Sequence, residues 1–269
     1  LQPLGEGSAA LSVPLAVTLW LLPPLALVAF LYAAVGHAGA SGYIAVLALA
    51  GLPAESIKPL ALILNTAVAA QGSWQFWRAG HLRWRLFWPV LLAGLPTAFL
   101  GGWLDLPTLW FQRLVALVLL ASALRFLRQP RDPEGLSRPS LGILLLCGAG
   151  LGLLAGLTGT GGGVFLTPLL LGCGWASTRQ AAAVSSLFIL GNSLSGLTGL
   201  LLARRGAGSL LPALPAQFGW MLLVVLLAGA AGSRLGSRHW PVAWIRRCLA
   251  LVLLLAAWKL LGLAGQPPR

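Results

Sequence analysis

Charge is scarce in this sequence. Only 9% of its 269 residues are charged, where a soluble domain carries about a quarter. No charged residue stands between Glu6 and Glu55, and no Lys or Arg precedes Lys58. Acidic residues number five, and no pair of them is placed for acid–base chemistry. Cysteine is limited to Cys147, Cys173 and Cys248, all in or beside apolar segments. Their spacing fits no zinc, haem or redox motif, so they read as small buried hydrophobes. With no activated nucleophile and no metal-ligand cluster, the chain is not expected to be an enzyme, to bind a metal or to need a cofactor.

What is present is apolar. Hydrophobic residues make up 58% of the chain and the mean hydropathy is +0.88. Apolar runs long enough to cross a bilayer recur along it, which indicates an all-α polytopic membrane protein with the lipid bilayer as its solvent. At about 20 residues per crossing, there is room for eight to ten transmembrane helices. The first run, roughly 11–35, has no basic flank before it and is read as a membrane segment, not a signal peptide. Segments are expected at 13–35, 40–52, 56–78, 86–104 and 107–127, then at 141–158, 162–174, 178–203, 214–235 and 242–263. Between the two sets lies the polar linker RQPRDPEGLSRPS, 128–140. The expected organisation is a tail (1–12), a first repeat (13–127), the linker, a second repeat (141–263) and a C-terminal tail (264–269).

The net charge of +13 does not argue for nucleic acid. Most basic residues fall in short loops, where they set topology. Arg78, Arg83 and Arg85 occupy one loop, Arg125, Arg128, Arg131 and Arg138 flank or occupy the linker, and Arg234, Arg238, Arg246 and Arg247 occupy another. Keeping these loops cytoplasmic puts the N-terminus outside, in a multi-pass protein of the inner (plasma) membrane. Only Arg204–Arg205 falls on the wrong side. Tryptophans bracket the same loops, as Trp74, Trp77, Trp84 and Trp88 do around 78–85, at the depth indoles prefer.

The chain also repeats itself. VGHAGASGYIAVLALAG (35–51) and TGTGGGVFLTPLLLGCG (158–174) share a Gly-rich turn and a short apolar run, offset by 123 residues from Gly36/Gly159 to Gly51/Gly174. Near the ends of the halves the offset is 135, with GLPTAFLGGW (94–103) beside GAAGSRLGSR (229–238). The loop at 105–113 is expected outside and its counterpart at 234–247 inside. Equivalent elements therefore point opposite ways, giving two inverted repeats of five segments each. Re-entrant short segments would flip this parity and leave three arginines outside.

Glycine clusters are poor helix interiors, because Gly costs about 1 kcal/mol against Ala. Unwound backbone survives in a membrane only when buried in protein or lining a wet cavity. TGTGGG (158–163) would leave amides free at the start of the next helix, a place suited to an anion. Close packing through small residues is the competing explanation, and the repetition as GHAGASG (36–42) favours a site. No Gly-Lys-Ser/Thr follows, so this is not a nucleotide loop. Candidate substrate-binding residues are Gly36, His37, Gly39, Gly159, Thr160, Gly161, Gly162 and Gly163. To these are added Asn65, Ser185, Ser186 and Asn192 from polar clusters on the segments after each loop. Buried Asn needs partners. His37 is also the candidate proton carrier, being one of very few titratable groups near mid-membrane. Lys58 and Arg179 start matching helices and read as interfacial snorkelling.

The Gly loops, the Ala/Ser-rich helix AAAVSSLFILGNSLSG (181–196), the basic turn and the helix around GLPTAFLGG together resemble the sulfite exporter TauE/SafE family of membrane transporters, over about 25–263. The first loop departs from that pattern, with His37, Ala38 and Ala40 where a Gly-richer loop is usual. The resemblance implies transport of a small anion of the sulfite or organosulfonate class, in the export direction; His37 makes protons the candidate coupling ion. An anion channel and a non-transporting membrane scaffold subunit remain as alternatives, and a homo-oligomer is compatible with each.

Overall fold

The structure, a computed structural model, describes residues 15–34, 36–104, 106–127, 135–203 and 217–236, with scattered positions between 250 and 261. Among these it is helical, without a strand. The helices are α1 (Leu15–Ala34), α2 (Ala40–Leu49), α3 (Ala54–Arg78), α4 (Trp84–Trp103), α5 (Thr108–Leu127), α6 (Leu141–Thr158), α7 (Gly163–Gly172), α8 (Thr178–Ala203) and α9 (Phe218–Gly236). They fall where the apolar segments were expected. The linker residues 128–134, Arg204–Arg205 and nearly all of the expected segment 242–263 lie outside the described residues; of the last, Ala250 and Ala257 are buried. Among the described residues, four helices are long and apolar enough to cross a membrane: α4, α6, α8 and α9. The protein is embedded in the membrane as a polytopic helical bundle.

Helices α3 and α8 form the centre and run antiparallel. Asn65 meets Ser193, Gly72 faces Ser186, and Gly36 lies against both Phe76 and Ala182. Polar residues make α3 a poor lipid-facing helix, and this placement encloses them: Asn65 and Ser73 are buried. Around this pair, α4 packs on α6 and α1 packs on α9. In each case the first helix of one half meets the fourth helix of the other.

The α4–α6 contact shows how. Gly148, Gly152 and Gly156 of α6 lie on Val90, Gly94 and Ala98 of α4 so closely that a Cβ at any of the three would strike α4 backbone. Small residues let membrane helices approach in this way, where hydrophobic driving force is missing. The matched spacing also makes α4 and α6 parallel. Because α4 opposes α3, and α1 runs with α3, α6 opposes α1. The halves are therefore inverted repeats.

The short helices are half-crossings. Each has 10 residues, about 15 Å of helix, against a hydrocarbon core of about 30 Å. The preceding loop supplies the rest. Gly36 lies beside Phe76, near the end of α3, while the Ala40 amide reaches Asn65 at its middle. In the other half, Gly159 lies beside Lys58 near the start of α3, and Gly161 reaches Asn65 and Ser193. Each second crossing thus runs as non-helical chain to mid-membrane and as helix beyond it. This keeps five crossings in the first half.

Candidate functional site

The two unwound segments enter from opposite ends and meet at Asn65. Its Oδ1 accepts from the Ala40 backbone N–H (3.1 Å), and its Nδ2 donates to Ser193 Oγ (2.8 Å). Asn65 is 1% exposed, so these bonds replace water for its amide. The first bond caps α2. In the second half Ile189 stands against Gly163, the first residue of α7, and the N-cap residue there, Gly162, has no side chain to cap it. The N–H groups of the first α7 turn carry the positive end of that helix.

The second loop needs its glycines. Gly159, Gly161 and Gly162 have φ of 78°, 70° and 77°, a region that side chains with a Cβ visit at a cost of about 1–2 kcal/mol. A Cβ on Gly161 would also strike the Asn65 amide nitrogen. Thr158 and Thr160 share a hydroxyl–hydroxyl hydrogen bond of 2.9 Å, and Thr158 Oγ1 donates to the Leu154 carbonyl at 2.6 Å. These bonds hold the unwound turn to the end of α6.

The expected site residues do not all come together. Gly161–Gly163 and Asn65 gather at the centre, while Gly159 lies beside Lys58 near the start of α3, with Thr160 between them in the chain. Gly36, His37 and Ser186 line a separate small cavity with Gly72, Phe76 and Ser233, nearer the end of α3. That cavity has about 10 Å³, roughly one water. Asn192 points instead toward α4, its Oδ1 against Gly94. It is fully buried, and neither amide atom has a hydrogen-bond partner among the described residues. Ser185 accepts from Thr167 Oγ1 at 2.8 Å, tying α7 to α8. Gly39 lies under the Tyr43 ring.

Two functions of the sequence emerge only here. Tyr43 is fully buried and its hydroxyl has no partner among the described residues, while Tyr32 OH bonds Ser41 Oγ at 2.7 Å. The chain has two tyrosines, and both flank the first Gly loop; that coincidence was the available signal. Lys58, read as snorkelling, is instead buried. Its Nζ donates to the carbonyls of Gly101 (3.1 Å), Gly102 (3.3 Å) and Leu104 (3.4 Å). It caps the negative end of α4. Arg179 is exposed.

The comparisons with known proteins agree with this architecture. The family model described as "Sulfite exporter TauE/SafE" matches residues 21–260. The chain belongs to that family. It is 37% identical over 239 residues to the "Probable membrane transporter protein y4hK" of Sinorhizobium fredii (strain NBRC 101917 / NGR234), covering 87% of this chain and 94% of that protein. No solved structure matches it. As a member of the TauE/SafE family the chain is a membrane transporter, and its Gly-broken second and seventh helices are the parts that transporter folds use near the midplane.

Proposed function

We propose that this transporter exports a small sulfur-containing oxyanion, of the sulfite or organosulfonate class, across the inner membrane, and that it is not an enzyme. The observation that carries the reading is the meeting of two half-unwound crossings at Asn65, with the N-termini of α2 and α7 both at mid-membrane. Two positive helix ends there favour a negative ligand without a buried cation. The first turn of α7 binds the anion; Thr160 and Asn65 supply further donors. Asn65 and Thr160 are buried, so substrate reaches them only when the halves part. That favours alternating access over an open channel. Arg78, Arg83, Arg85, Arg138, Arg179 and Arg234 gather at one end of the bundle, which we assign to the cytoplasm. The N-terminus then lies outside, and the two halves divide at the linker 128–140.

The test is flux in proteoliposomes against sulfite, organosulfonates, sulfate and small carboxylates. Saturable uptake with counterflow for the sulfur oxyanions is the expected result. Non-saturating flux identifies a channel, and preference for carboxylates removes the substrate assignment.

A further inference from the structure

Three arginines outside the midplane converge on one concavity. The α3–α4 turn, the stretch before α6 and the α7–α8 turn meet at the same end of the bundle. There Arg83, Arg85 and Arg138 line a pocket of about 280 Å³ together with Trp84, Leu144 and Trp175. No acidic side chain is among the described residues lining it.

The walls are fixed. Arg83 Nη1 donates to the Trp175 carbonyl at 3.1 Å. Ser137 N–H donates to the Gly174 carbonyl at 2.8 Å, and Ser137 Oγ to the Cys173 carbonyl at 3.1 Å. Three segments distant in sequence are thereby joined into one rim, with both halves contributing. Arg85 and Arg138 are exposed, so their guanidinium groups stay hydrated until a ligand arrives. Leu144 and Trp175 are buried and make an apolar floor. Trp84, half exposed, stacks on the exposed Trp88 with ring centroids 5.8 Å apart. Such indoles mark the headgroup level of the bilayer.

We propose that this pocket binds the phosphate group of an anionic phospholipid headgroup, bridging the two halves of the transporter. Guanidinium forks match phosphate oxygens in geometry and charge. Basic pockets between transmembrane helices recognise anionic lipid heads for that reason. The apolar floor and the indole rim at headgroup depth select a lipid over a freely dissolved anion.

The protein purified in neutral detergent is melted with added phosphatidylglycerol, phosphatidylcholine or inorganic phosphate. Phosphatidylglycerol is expected to raise the unfolding midpoint and phosphatidylcholine to leave it unchanged. The Arg85→Gln/Arg138→Gln double variant should need about tenfold or more phosphatidylglycerol for the same shift. Arg113→Gln, remote from the pocket, should behave as wild type. Equal stabilisation by both lipids, or an unchanged response in the double variant, overturns the proposal. Protection by inorganic phosphate but not by phosphatidylglycerol, lost in the double variant, overturns the lipid source and assigns the pocket to a soluble anion. If the double variant does not fold, native mass spectrometry of Arg138→Gln counts co-purified phosphatidylglycerol, and occupancy equal to wild type overturns the site.

Discussion

Asn65 on α3 donates to Ser193 on α8 across the centre of the bundle, at 2.8 Å and with both residues buried. The same amide accepts from the first residue of α2. One side chain therefore holds together the inverted halves and the first unwound crossing. Asn65→Leu removes both bonds and leaves the Ala40 N–H without its acceptor. Leaving a buried polar group unsatisfied costs about 1–3 kcal/mol. We expect a lower unfolding midpoint in detergent and loss of flux. A variant with wild-type stability and flux would show that Asn65 does neither job.

Gly161→Ala tests the second loop at minimal size. The added methyl strikes Asn65, Ile189 and Ser193, and the backbone sits at φ 70°. Insertion depends on the apolar segments and should persist. Flux should fall at least tenfold, because about 1–2 kcal/mol of strain adds to the lost approach to Asn65. Transport assays on protein matched for membrane yield decide this.

Asn192 separates packing from function. A buried amide without partners destabilises the fold that contains it, by about 1–3 kcal/mol. Asn192→Leu keeps similar volume and removes that burden. Its unfolding midpoint should equal or exceed wild type. If the amide serves the substrate, flux falls in the same protein. Unchanged flux in a more stable variant would take Asn192 out of the transport path.

Much of this was legible in the sequence, for one reason. Lipid forces every crossing to be an apolar helix or an enclosed break, so apolar runs and Gly clusters mark both. Repetition of the Gly loops announced the pairing of halves, and loop charge announced the inversion. The site was less legible, because sequence order does not say which face of α8 a residue occupies. Asn192 and Ser193 are neighbours, yet one faces α4 and the other Asn65. Lys58 was misread because its partners, the carbonyls at the end of α4, lie more than 40 residues away and carry no side-chain signature.

Lys58→Met follows from that geometry. The ammonium holds three carbonyls at the end of α4, beside the first turn of the second Gly loop at Gly159. Hydrogen bonds to a charged group are worth about 1.5–3 kcal/mol. The variant should unfold at lower temperature, and Lys58→Arg should recover part of the loss. Full stability in Lys58→Met would return Lys58 to the role of an interfacial anchor.

His37 carries the proton prediction. It lies in the first unwound crossing, is 7% exposed, and shares its cavity with Ser186 and Ser233 rather than with Asn65. The cavity holds about one water, enough for a proton to reach the ring while an oxyanion cannot. Proton and substrate thus occupy neighbouring places linked through α3, where Phe76 lines the cavity and Asn65 meets the loops. An imidazole with an ordinary value of about 6.5 titrates nearest neutrality. His37→Gln keeps the shape and hydrogen-bonding capacity without the charge. It should retain substrate binding and counterflow while losing acceleration by a pH gradient. Gradient-driven transport at the wild-type rate in His37→Gln would make the histidine structural and place any coupling elsewhere.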